Sequence, residues 1–86
     1  MDINQLIQIV KKKISSQVTL ENIEVEDKTY LHVNHKSHTK NRYHLKIIIS
    51  SKPLNKLNKI ESTKIIYKIL EKEINDYIHS LQILFI

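Results

Sequence analysis

Apolar residues first recur at Ile3, Leu6, Ile7, Val10 and Ile14, with Asn, Gln and Lys filling most of the gaps. That spacing marks one face of a helix, and Asp2 stands where a side chain can cap its first free N–H groups. Lys11, Lys12 and Lys13 read as a solvated set in the last turns of this helix, where cations complement its dipole. After Ser15-Ser16 the period shortens. Leu20, Ile23 and Val25 punctuate polar residues, with Glu24 and Glu26 opposed, which predicts a half-buried strand. Positions 27–42 are polar, rich in His and without a period, so they read as a flexible loop.

Tyr43–Ser50 predicts a second strand, and the run Ile47-Ile48-Ile49 predicts cover on both of its faces. Pro53 ends the pairing. Ile60, Ile65, Ile66, Ile69, Leu70, Ile74 and Tyr77 predict one long amphipathic helix. Ile78–Ile86 returns to a strand, with Leu81, Ile83 and Phe85 on one face. The order is α-β-β-α-β, an α+β fold. A strand, a long helix and a strand in succession form a parallel unit with a right-handed crossover. The first two strands, joined by a loop, are expected to be antiparallel. The end of strand one and the starts of strands two and three then share one rim of the sheet. His32, His35, His44 and His79 fall at that rim, four of the five histidines.

Composition narrows the chemistry. Eighty-six residues make one domain, residues 1–86, which buries only roughly 60–65% of its unfolded surface and leaves little room for a deep active site. With no cysteine, neither a disulfide nor an all-thiolate metal site can be built from this chain. The net charge of +5 suggests nucleic acid, but Lys is abundant while Arg42 is the single Arg, and Gly and Ala are absent. An A/T-biased genome produces that pattern, and the guanidinium fork suited to phosphate and guanine is nearly missing. No apolar run approaches the roughly 20 residues of a membrane span. Asp2, Gln5 and Gln8 do not suit a signal peptide, so the expected location is the cytoplasm.

Each candidate has a plainer reading beside it. His79 shares parity with Leu81, Ile83 and Phe85, which suits a core-edge histidine as well as a ligand. His32-x-x-His35-x-x-His38 has spacing for Zn²⁺, but a loop without Cys makes a poor cage. His44 suits a structural hydrogen-bonder at a strand start. Lys52, Lys56, Lys59 and Lys64 surround the turn and the start of the long helix, where a phosphate can bind or a lysine face simply be solvated. Tyr30 and Tyr43 flank the loop and suit packing. Ser62 and Thr63 lack any nucleophile context, and Glu71 and Glu73 read as ordinary helix-face charges, so no enzyme is expected.

Val25-Glu26-Asp27, His32-Val33-Asn34-His35 and Tyr43 to Ser51 resemble the first hairpin of the BolA family. Ile65-Ile66-Tyr67 and Ile78-His79-Ser80-Leu81 continue the likeness over almost the whole chain. The resemblance implies a class II KH-like fold, a three-stranded mixed sheet with helices packed on one face. It also implies a non-enzymatic adaptor in iron–sulfur trafficking, iron homeostasis or stress response. Such an adaptor is a monomer alone and a heterodimer with a monothiol glutaredoxin, the two sharing a [2Fe–2S] cluster. The implied ligands are His79 and His32, with His35 as the alternative from the loop. Thiolates would come from the partner and its glutathione, and imidazole ligation raises a cluster's potential. Because neutral imidazole is the ligand, assembly is expected to weaken as pH falls through the histidine range.

Two departures from the family stand out. Ser62-Thr63 replace an Arg-His pair that the family often carries, and Leu54-Asn55-Lys56 replaces an aromatic-x-Gly turn, so that any positive φ would have to fall on Asn55 or another tolerant residue. The alternative function that the resemblance offers is DNA binding through the KH-like surface, with Lys52, Lys56, Lys59 and Lys64 as its contacts.

Overall fold

The structure is a computed structural model and describes residues 1–29 and 42–86. Helix α1 spans Ile3–Gln17. Asp2 caps it as its position suggests: Oδ1 accepts the Gln5 N–H at 2.8 Å, while the Gln5 side chain accepts the Asp2 N–H at 3.2 Å. Leu6, Val10 and Ile14 are fully buried on its inner face. Lys11, Lys12 and Lys13 lie mid-helix rather than in the last turns, because the helix runs on to Gln17.

Strands β1 (Asn22–Asp27), β2 (Tyr43–Ser50) and β3 (Ile78–Phe85) form a sheet in that order. β1 pairs antiparallel with β2, and β3 pairs parallel with it. Leu20 precedes β1 and packs against the core from outside the strand. Ile23 and Val25 stand opposite Ile49 and Ile47, and these share a face with Leu45. Leu45, Ile47 and Ile49 meet Leu6, Val10 and Ile14 of α1, together with Leu54, Ile66, Leu70 and Ile78. Burying each such side chain contributes about 1.5–3 kcal/mol.

Ile48 corrects the expectation of cover on both faces. It points away from the helices, is half-buried, and lies between Glu24 and Leu84 in register. Among the described residues no helix covers that face; β2 is apolar because it is the central strand.

Between β2 and the long helical region lies a short helix that the hydrophobic pattern does not announce, α2 (Lys52–Asn55). Buried Ser51 accepts the Leu54 N–H at 3.3 Å and donates to the Thr19 carbonyl at 2.8 Å. Pro53 sits in the first turn, where its missing N–H costs nothing. Asn55 lies inside α2 and Lys56 has φ −76° and ψ −18°, so neither needs the positive φ that a glycine would supply.

The long helix is two segments, α3 (Lys59–Ile69) and α4 (Glu71–Asp76), meeting at Leu70 with φ −98° and ψ 15°. The break is small: Leu70 N–H still donates to Ile66 O at 3.0 Å, and Ile74 N–H to Leu70 O at 2.8 Å. Glu73 is not an ordinary surface charge. It is 5% exposed, and Lys13 Nζ donates to both its oxygens, at 2.8 and 3.0 Å. The pair pins α4 to α1 and so locates the start of β3. Among the described residues no helix is long and apolar enough to cross a membrane.

Candidate functional site

The sheet's topology creates the predicted rim. Asp27 pairs with Leu45 at the end of β1, and Tyr43 pairs with Ile78 where the parallel ladder begins. Lys28 N–H donates to the His44 carbonyl at 2.7 Å, His44 N–H to Thr29 Oγ1 at 3.1 Å, and Tyr43 N–H to the Tyr77 carbonyl at 2.9 Å. Thr29 is itself held by Asp27 Oδ1, which accepts its N–H at 3.0 Å. Both described ends of the histidine-rich segment, Thr29 and Arg42, therefore sit at this rim. Tyr43 is anchored by its hydroxyl, which donates to the Met1 carbonyl at 3.0 Å.

At the rim the β2–β3 register slips by one. Tyr43 stands opposite Ile78 but His44 opposite Ser80, which leaves His79 as the extra residue of a bulge. Bulges turn one side chain out of the regular alternation. The parity of His79 with Leu81, Ile83 and Phe85 is thus broken: those three are half-buried, whereas His79 is exposed. The core-edge reading of His79 fails for this reason.

The ring of His79 rests against that of His44, with centroids 5.0 Å apart and planes inclined at 58°. His44 is only 5% exposed, and its Nδ1 lies 2.6 Å from Ser80 Oγ. The rim therefore carries an outer imidazole open to solvent, backed by an inner one whose Nδ1 is already engaged. Ser80, which orients the inner ring, belongs to this arrangement and carries no signal in the sequence pattern.

Other candidates divide by location. His32 and His35, with His38 and Tyr30, lie outside the described residues, as does the zinc spacing they would form. Among the described residues no three His, Cys, Asp or Glu side chains gather closely enough to hold a metal ion. A cluster at His79 thus needs further donors, and the chain has no thiolate to offer.

Lys52, Lys56, Lys59 and Lys64 are all exposed; the first three follow the far end of β2, around α2 and the start of α3, while Lys64 lies within α3. An eight-residue strand rising about 3.3 Å per residue puts roughly 23 Å between that end and the histidine rim. At the start of α3, Asn58 Oδ1 accepts the Glu61 N–H at 2.8 Å, and the Glu61 carboxylate occupies the first turn. An acidic side chain there competes with phosphate for the positive end of the helix dipole.

Comparisons with known proteins agree with this architecture. A family profile described as BolA-like protein matches residues 14–85. The BolA domain of SufE1 from Arabidopsis thaliana superposes with a TM-score of 0.82 at 21% identity, over 98% of this chain and 93% of that one. BolA1 from Arabidopsis thaliana gives 0.76 at 20% identity, over 92% and 87%. BolA1 from Mus musculus gives 0.74 at 14% identity, over 92% of this chain and 62% of that one. No curated protein matches. At such identities the solved structures speak to the fold alone. The family match spans most of the chain and includes both β2 and the bulged start of β3, so the chain belongs to the BolA-like protein family.

Proposed function

We propose that this protein is a non-enzymatic adaptor that joins a monothiol glutaredoxin and shares a [2Fe–2S] cluster with it, His79 supplying one ligand. The observation that carries the reading is the bulge at the start of β3, which presents His79 to solvent at the rim where both described ends of the histidine-rich segment meet. The donor set suits the role. A chain without thiols contributes imidazole, and the remaining ligands come from a partner's sulfur. His44, held by Ser80, orients and backs the outer ring; such supporting contacts fix the direction of metal-binding histidines. His32 is the second ligand of this proposal, with His35 as its alternative. The cluster supplies an electron-accepting or transferable iron–sulfur unit, while the chain holds and presents it.

Anaerobic co-purification with a monothiol glutaredoxin tests the reading. The complex is expected to absorb in the visible region, and His79→Ala to lose that absorption while keeping its far-ultraviolet circular dichroism. A colourless complex, or one indifferent to the substitution, rejects the cluster role. The DNA-binding alternative draws on the exposed lysines of α2 and α3. Duplex binding with a steep salt slope that Lys56→Ala or Lys59→Ala reduces is its signature. The acidic first turn of α3 argues against it.

A further inference from the structure

The outer edge of β3 runs from Leu81, just past the histidine rim, to the far end of the sheet. Among the described residues β3 is an edge strand. Ile86 N–H donates to the Ile49 carbonyl at 2.9 Å, so beyond the bulge the even-numbered residues turn their backbone groups toward β2. The N–H and C=O groups of Leu81, Ile83 and Phe85 consequently face outward. Tyr67 of α3 donates its hydroxyl to the Leu81 carbonyl at 3.2 Å and closes the ladder there. Apart from that carbonyl, the outward groups of Leu81, Ile83 and Phe85 have no partner among the described residues.

Natural edges are usually protected by lysine, proline or a covering element. The residues of β3, Ile78 to Phe85, include no Lys, Arg, Asp, Glu or Pro, and among the described residues no strand pairs with its outer side. Beside its free end opens a pocket of about 250 Å³, lined by Leu54, Asn55, Leu57, Lys59, Ser62, Leu84 and Phe85. Leu84 is 43% exposed, and Ile60 and Ile86 stand further out still, at 69% and 58%. An open backbone ladder beside an apolar pocket is the arrangement by which sheets accept an added strand.

We propose that this edge binds an extended segment of a partner polypeptide as a fourth strand, with one large apolar side chain in the pocket and an acidic one beside Lys59. Charge selects the occupant: Lys59 is the one charged residue lining the pocket, and the chain carries +5 overall. A second copy of this chain fits less well. In a two-fold pairing centred on Ile83, Phe85 of each copy meets Leu81 of the other, where Tyr67 already stands. The shared positive charge opposes that pairing as well. A nucleic-acid strand would call for several cations along the groove, and the pocket offers one.

The test uses the whole chain without metal, so that its outcome is separate from that of the cluster reading. A fluorescent peptide alternating isoleucine and aspartate is titrated, beside its lysine counterpart, a version N-methylated at alternate residues, and a single-stranded oligonucleotide. The acidic peptide is expected to bind. N-methylation, which removes two or more ladder hydrogen bonds, should weaken it about tenfold. Lys59→Glu should reverse the preference between the acidic and basic peptides. Amide exchange supplies a readout that packing alone would not move: the Leu81, Ile83 and Phe85 N–H groups gain protection on binding, while the Gln82 and Leu84 groups, already paired to β2, do not change. Tyr67→Phe, by freeing the Leu81 carbonyl, should bind at least as well. Equal binding of the methylated peptide, protection elsewhere than on Leu81, Ile83 and Phe85, self-association of the free chain through this edge, or binding of the oligonucleotide alone would each overturn the proposal.

Discussion

Truncating Lys13 to Met strands the Glu73 carboxylate. Both carboxylate oxygens take hydrogen bonds from Nζ, and the Glu73 side chain is 7% exposed against 36% for Lys13. A hydrogen bond to a charged group contributes about 1.5–3 kcal/mol, and losing it from a desolvated carboxylate costs at least as much. The lysine end is open enough for water to enter once the ammonium is gone, which places the expected loss at the lower end, about 1.5–2 kcal/mol. For a domain of this size that lowers the melting temperature by roughly 6–16 °C. Replacing both residues, Lys13→Met with Glu73→Met, removes the stranded charge and should restore most of the stability, since apolar pairs of similar volume often match buried ion pairs. Urea denaturation at neutral pH, followed by far-ultraviolet circular dichroism on wild type, both single variants and the double variant, measures the coupling. A Lys13→Met protein as stable as wild type, or a double variant less stable than either single one, would refute the argument.

Other consequences are more local. Asp2→Ala removes the oxygen that caps α1 and should cost about 1 kcal/mol, with faster amide exchange confined to the first turn. Ile47→Ala empties a fully buried position in the central strand and should cost about 2–5 kcal/mol in denaturant unfolding; a smaller loss would mean that the helices collapse onto the gap. Ser80→Ala deletes the partner 2.6 Å from His44 Nδ1, so the ¹⁵N resonance of that nitrogen should move, and an unmoved resonance would contradict the contact.

Much of the architecture was legible because it rests on strong periodic signals. Ile3, Leu6, Val10 and Ile14 with a capping Asp2 can hardly be anything but a helix, and Tyr43–Ser50 is a strand to the residue. What escaped lies where periodicity is blind. The break at Leu70 interrupts no apolar spacing, because Ile66, Leu70 and Ile74 keep their period and their hydrogen bonds across it. α2 is too short to show a period at all; its signals are the Ser51 cap and Pro53 in the first turn, which also suit a simple strand end. Lys13 and Glu73 are sixty residues apart, and each alone looks like any solvated helix charge. The candidate site was legible in outline, since topology alone brings His44 and His79 to one rim. Its decisive detail was not: the bulge that turns His79 outward depends on how β3 meets β2, a pairing that neither strand declares by itself.

The central claim is that the exposed imidazole of residue 79 binds iron held jointly with a partner's sulfur. Pulsed electron paramagnetic resonance on the reduced cluster tests it directly, in a complex of the ¹⁵N-labelled chain with unlabelled glutaredoxin. His79→Ala, at an exposed position, should leave folding stability within about 0.5 kcal/mol of wild type, so that loss of a ligand is separable from loss of the fold. The account predicts ¹⁵N coupling from imidazole in the wild-type complex and in Lys56→Ala, and loss of the cluster signal itself in His79→Ala. A spectrum without nitrogen coupling, or one identical in wild type and His79→Ala, would contradict it.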